Sequence, residues 1–310
     1  MRWSSKSQLK FSVWLSLFIS IIFSGQLYGL HFSDENQILI DVNWLVKHQY
    51  DPELVIVDAR SKADYKKGHI NGAINIPVKA TFNPKINTDR VGNIKYIAAL
   101  FSNAGISNDH AIVIYDGNSY IDAGRVFWVL EVYGHKKVKL LNGGIEGWKI
   151  SAKQSLSQIE TLLPVSDYIP TINSKRFITK FSMQLAIEDK DTLVIDSRDK
   201  KDFDGETSIA SRSGHIPSAI NIPWTENFVE VNGVKMLKPV DELLKIYAVA
   251  KQGRRVILYC NKGKQSSLSY TVMRQLGYDA AHYDGSWYEW ANDPALPIVE
   301  KIKSKNKIIK

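Results

Sequence analysis

The sequence predicts an α/β protein built from two tandem copies of one domain, each a parallel sheet with helices on both faces. Three observations carry this. The chain matches itself in order and at similar spacing: Leu54–Arg60 with Leu193–Arg198, Gly68–Pro77 with Gly214–Pro223, Ala111–Tyr115 with Val256–Tyr259, and Asn142, Gly143 and Trp148 with Asp284, Gly285 and Trp290. Short apolar runs rich in Val and Ile alternate with helical patterns, the signature of strands buried on both faces of a parallel sheet. Finally, 310 residues of which 44% are hydrophobic suffice for two domains with cores of their own.

Each half reads strand–helix–strand–strand–helix–strand–helix. Residues 36–150 form the first domain and 171–300 the second. The polar stretch 151–170, with Pro164 and Pro170, reads as the linker. Residues 1–29 read as a secretory signal: Arg2, Lys6 and Lys10 precede the apolar run Phe11–Phe23, and Ser24, Gly25 and Gly29 follow. The run is short of the ~20 residues of a membrane span. The expected location is therefore exported, periplasmic or secreted; the alternative is an uncleaved anchor over residues 11–30.

The net charge of +8 is a matter of the chain ends. Arg2, Lys6 and Lys10, with Lys301, Lys303, Lys305, Lys307 and Lys310, equal the whole excess, so residues 11–300 are balanced. A basic nucleic-acid face is thereby excluded, and residues 301–310 read as a solvated basic tail.

Cys260 is the one cysteine of the chain. A cysteine within an apolar run is usually a small buried hydrophobe. This one ends the run Val256–Tyr259 and opens the polar, cationic loop Asn261-Lys262-Gly263-Lys264, after which a helix is predicted over Ser266–Gln275 with Gly277 as its C-cap. A strand, a tight loop and a helix start aim backbone N–H groups at one point and stabilise an anion there. The anion can be the Cys260 thiolate itself. A lone cysteine forms no internal disulfide, so its retention in an exported chain argues for chemistry. In the first half the corresponding residue is Asp116, and its loop has no lysine. That half kept the scaffold without the nucleophile, so one active site in the second half is expected.

These motifs resemble the tandem-domain rhodaneses, thiosulfate:cyanide sulfurtransferases. The resemblance covers residues 36–298 and rests on Gly214-His215-Ile216, on Cys260-Asn261-Lys262-Gly263 after a strand, and on Tyr283–Trp290, all in a duplicated frame. It implies two rhodanese-like domains and a two-step reaction. The Cys260 thiolate takes the outer sulfur of thiosulfate, sulfite leaves, and cyanide or a thiol removes the sulfur from the resulting persulfide. It further implies that Arg198 and Lys262 contact the anionic donor, with Lys264 as a further cation. The backbone of Asn261, Gly263, Gln265 and Ser266 would cradle the persulfide. No metal and no cofactor is expected, because no His, Cys or carboxylate grouping has metal-ligand spacing and no Gly-x-Gly-x-x-Gly opens a helix. Partners are small donors and acceptors, and the chain is expected to be a monomer.

Two departures bear on the donor. Many thiosulfate-using relatives carry arginine where this chain has Asn261. Mercaptopyruvate-using relatives carry serine where it has Lys262, which favours thiosulfate over 3-mercaptopyruvate. A carrier that stores a persulfide with little turnover would use the same residues. A phosphatase of similar fold needs an arginine closing the cysteine loop, and the next arginine here is Arg274. His69 and His215 occur in both halves, so they read as turn histidines bonded to Asp58 and Asp196. Trp148, Trp287 and Trp290 read as core or interface anchors.

Overall fold

A computed structural model describes residues 37–86, 88–251 and 253–300. The expected signal segment 1–29 and basic tail 301–310 lie outside the described residues. The first half holds β1 (Leu39–Ile40), α1 (Val42–His48), β2 (Leu54–Asp58), α2 (Lys62–Lys67), β3 (Ile74–Asn75), α3 (Ile94–Asn103), β4 (Ala111–Tyr115), α4 (Ile121–Val132), β5 (Val138–Leu141) and α5 (Gly144–Ser151). The second holds β6 (Phe177–Ile178), α6 (Lys180–Ala186), β7 (Thr192–Asp196), α7 (Lys200–Phe203), β8 (Ile220–Asn221), β9 (Phe228–Val231), β10 (Val234–Leu237), α8 (Val240–Ile246), β11 (Arg255–Tyr259), α9 (Gln265–Gln275), β12 (Ala280–Tyr283) and α10 (Ser286–Ala291).

Two five-stranded sheets result, ordered β1-β5-β4-β2-β3 and β6-β12-β11-β7-β8. All their pairings are parallel, and β4 and β11 occupy the same central place. Every residue of β2, β4 and β7 is buried, which explains unbroken apolar runs in place of alternation. The loops after β4 and β11 lie at the carboxyl ends of central strands, where open α/β sheets place their sites.

The second half departs from the repeat by one hairpin. β9 and β10 pair antiparallel about Asn232 and Gly233, at φ +52° and +77°. Two successive positive φ values suit the Asn-Gly dipeptide and match the twist of a two-residue turn. The hairpin reaches into the first half: Asn118 Nδ2 donates to Lys235 O at 2.6 Å, Lys235 N to Asn118 Oδ1 at 3.0 Å, and Leu237 N to Asn142 Oδ1 at 3.1 Å.

The halves meet through the same helix of each repeat. α4 packs on α9, and Val126 and Leu130 share one apolar core with Leu268 and Val272. Gly124 permits this approach, because a Cβ there would stand 3.0 Å from Leu268 Cα. The linker is strapped down. Ser157 bridges His69, Ser166 N donates to Ser102 O at 3.0 Å, and Tyr168 is buried in the shared core. The tryptophans Trp148, Trp287 and Trp290 belong to the outer-face cores of their own halves, not to the interface.

Gly124→Val should overpack this helix crossing, since the opposing atoms are backbone and cannot swing away. A loss of about 1–3 kcal/mol is expected, read as a lower Tm by calorimetry. An unchanged Tm would mean that the halves do not depend on this contact.

Candidate active site

Cys260 follows β11 directly, is 1% exposed, and starts a loop whose geometry is set from several sides. Gly263 N–H donates to the Cys260 sulfur at 3.2 Å. Gly263 has φ +81°, and a Cβ there would lie 2.8 Å from Asp284 O, so both backbone and space require glycine. The start of α10 holds the loop from above: Trp287 N donates to Cys260 O at 2.9 Å and Tyr288 N to Asn261 O at 3.0 Å. Ser286 takes φ +51°, costly for a residue with a side chain, and its Oγ accepts from Cys260 N at 3.3 Å. The first half has Gly144 at this position, at φ +55°.

The first half supplies the firmest support. Arg125 of α4 is fully buried; its Nη1 donates to Gly263 O at 3.1 Å and its Nη2 stands 2.6 Å from Asp284 Oδ1. Nη2 also donates to Asp89 O at 2.9 Å, and the guanidinium lies 4.4 Å from the Trp128 ring centroid. Val91 N donates to Asp284 Oδ2 at 2.9 Å, and Ser267 Oγ to Gly263 O at 2.6 Å. The cysteine loop is thus fixed by a buried ion pair whose cation belongs to the other domain. Arg125 was not singled out from the sequence, and Asp284 was read only as part of the repeat: the contact of Arg125 with Gly263 spans 138 positions, and no local pattern marks it.

The cations expected at the site are arranged differently from one another. Arg198 is fully buried and lies on Asp196, with contacts of 3.0, 3.0 and 2.6 Å, while Nη2 also donates to Gly214 O at 2.7 Å. Arg60 repeats this arrangement with Asp58 and Gly68 in the first half. Arg198 Nη1 is buried without a partner, and the guanidinium stacks 4.5 Å from the Trp287 ring centroid. Lys264 pairs with Asp122 of α4 at 3.0 Å, so its charge ties the halves together instead of standing free in the loop. Lys262 is exposed and makes no ion pair among the described residues; its Nζ lies 4.8 Å from the Tyr288 ring centroid. It lines a cleft of about 420 Å³ between the halves, with Thr88 and Arg90 from the first and Tyr288 and Glu289 from the second.

Asn261 Nδ2 donates to Asp202 Oδ2 at 3.1 Å, setting a carboxylate beside the loop. Ser266 Oγ lies 2.8 Å from His282 Nε2, and burial holds that imidazole well below its usual range, so it is neutral. The turn histidines need a correction. They bond helix carbonyls, not Asp58 and Asp196: His69 Nδ1 is 2.9 Å from Tyr65 O and His215 Nδ1 is 2.9 Å from Phe203 O, each ring stacked on that same residue. The aspartates are engaged by Arg60 and Arg198 instead. Among the described residues, no group of three or more His, Cys, Asp or Glu could hold a metal.

The duplicated α/β frame and the single thiol, met by the Gly263 amide, define a two-domain protein with one candidate cysteine site. The Rhodanese-like domain family matches residues 41–151 and 182–293, and the chain belongs to that family. It is 32% identical to a thiosulfate sulfurtransferase of Pseudomonas aeruginosa over 250 residues, 80% of this chain and 91% of that one. It is 30% identical to the sulfur carrier protein TtuD of Thermus thermophilus over 282 residues, 85% and 97% of the two chains. The crystal structure of the 3-mercaptopyruvate sulfotransferase SseA from Escherichia coli superposes with a TM-score of 0.73 at 27% identity, covering 81% of this chain and 99% of that one. The protein is a sulfurtransferase of the rhodanese family.

Arg125→Met should leave Asp284 buried without its cation and cost about 3–5 kcal/mol. Adding Asp284→Asn should return part of that loss, because the stranded charge is then gone. Urea unfolding of the single and double variants measures the coupling; strictly additive effects would mean that the pair does not hold the loop.

Proposed function

We propose that the sulfur donor is thiosulfate, that its outer sulfur is carried as a persulfide on Cys260, and that cyanide or a small thiol removes it. The observation that carries this reading is Lys262, an exposed cation without an ion-pair partner among the described residues, on the interdomain cleft two positions from the thiol. A thiolate meeting a dianion needs an opposing charge where sulfite forms. Asp196 neutralises Arg198 and Asp122 neutralises Lys264, so that demand falls on Lys262. The Gly263 amide, already 3.2 Å from the sulfur, is placed to steady the persulfide anion. The similar Pseudomonas aeruginosa protein is a thiosulfate sulfurtransferase, which supports the same donor. An exported location belongs to this proposal and rests on the sequence of residues 1–29.

A sulfur-carrier role is the second reading, favoured by the 1% exposure of Cys260 and by the likeness to TtuD. Turnover separates the two, since a carrier loads once and stops.

Cys260→Ser should abolish transfer with the fold intact. Mass spectrometry after thiosulfate treatment should find one added sulfur on the native chain and none on the variant. Sulfur on the variant, or full activity, would sink the mechanism.

Lys262→Ala should lower kcat/KM for thiosulfate roughly ten- to a hundred-fold, the loss of one charge-assisted contact. Lys262→Ser should shift preference toward 3-mercaptopyruvate. A thiosulfate value within about two-fold of the native one in Lys262→Ala would remove the main support for this donor.

A further inference from the structure

At the far end of α9 from Cys260, a second cleft of about 730 Å³ opens between the halves. His135, Lys136, Lys137 and Glu131 line it from the first half, and Arg176 and Arg274 from beyond the linker. Its charge is not balanced locally. Glu131 answers Arg274 at 3.1 Å, and Asp279 answers Arg176 at 3.0 Å. Lys137 reaches only a neutral carbonyl, Asp109 O, at 3.2 Å, and Lys136 makes no ion pair among the described residues.

Two buried polar atoms of residues that line this cleft also have no hydrogen-bond partner, Arg176 Nε and His135 Nδ1. Such atoms are rare in folded proteins because each carries a desolvation penalty. They are of opposite kind. Arg176 Nε is a donor. His135 is 3% exposed, and burial draws its imidazole down to about 4, so the ring is neutral at pH 7. Its Nε2 lies 2.9 Å from His110 O, a carbonyl that can only accept, so Nε2 holds the proton and Nδ1 is left as an acceptor. The cleft therefore calls for a ligand that is anionic and also brings a proton of its own.

We propose that this cleft binds a protonated phosphate group, with its anionic oxygens toward Lys136, Lys137 and Arg176 Nε and its hydroxyl toward His135 Nδ1. The site is separate from the donor chemistry at Cys260. Sulfate and thiosulfate, with no proton to give at neutral pH, leave His135 unanswered. Because both halves line the cleft, the ligand would also clamp the domain arrangement that presents Arg125 to the cysteine loop.

Calorimetric titration of the full chain at low salt with inorganic phosphate, glycerol 3-phosphate and sulfate tests this. Saturable phosphate binding at one site per chain is expected, with sulfate weaker by about ten-fold or more. Lys136→Glu, at an exposed position that does not threaten folding, should weaken phosphate by about ten-fold and leave thiosulfate turnover unchanged. His135→Phe should erase the preference for phosphate over sulfate, and Lys262→Ala should change neither affinity. Whichever of phosphate and its glycerol ester binds more tightly identifies a free ion or an ester as the source. Absence of saturable binding, equal affinity for phosphate and sulfate, indifference to Lys136→Glu, or loss of binding in Lys262→Ala would each overturn the assignment.

Discussion

The cysteine loop depends on the buried pair of Arg125 and Asp284. Removing two full charges from water is costly, and the hydrogen bonds around such a pair offset part of that cost. Here Asp89 O, Gly263 O and the Trp128 ring serve the guanidinium, while Val91 N serves the carboxylate. The arrangement also sets the loop's backbone, because Asp284 O and Arg125 together occupy the space a side chain at Gly263 would need. Gly263 must then adopt its positive φ, and its amide is turned onto the sulfur. The half without a cysteine thus supplies the cation that shapes the loop of the half that has one.

The same division of labour governs the other charges. Counting cations in the loop overstates the field met by a substrate, since Arg198 and Lys264 each have a carboxylate within 3.0 Å and Asp202 is bonded to Asn261. Arg198 and Arg60 answer the same need in both halves, joining the end of a central-sheet strand to the turn that precedes the next one. A role shared with the half that lacks a thiol is first a role in the fold. What sets Arg198 apart from Arg60 is complete burial against Trp287, which leaves its Nη1 buried without a partner.

Most of the fold was legible because it is written twice. Buried parallel strands leave unbroken Val and Ile runs, and their recurrence in order identified the two sheets and the place of Cys260 after a central strand. What escaped is what has no counterpart in the repeat or no local signature. The β9–β10 hairpin did have a signal, Asn232-Gly233 between two β-rich runs, but an insertion present in one half is invisible to a comparison of halves. Arg125 lies in α4 among Val126, Phe127 and Trp128, and nothing nearby distinguishes a buried arginine from an exposed one. The partners of Lys264 and Arg198 are a matter of packing: a sequence records charge but not which carboxylate will lie 3 Å away. The linker read as a polar spacer, whereas Tyr168 anchors it in the shared core.

The two loops together explain why one position tolerates either aspartate or cysteine. In the first half, Asp116 Oδ1 accepts from Asn118 N and Tyr120 N at 2.9 and 3.0 Å, and Oδ2 from Asp122 N and Ala123 N at 3.2 and 3.3 Å. Burial raises the proton affinity of this carboxyl, and those amides oppose the rise. The nest is a property of the strand–loop–helix backbone, and in the first half a carboxylate fills it. An aspartate satisfies it permanently and lets the β9–β10 hairpin close over the loop through Asn118 and Tyr120. In the second half the loop meets the Cys260 sulfur through the Gly263 amide, at 3.2 Å. The second loop is left beside a cleft, not under a hairpin, so the scaffold that closes over Asp116 in one half leaves the cysteine loop open at Lys262 in the other.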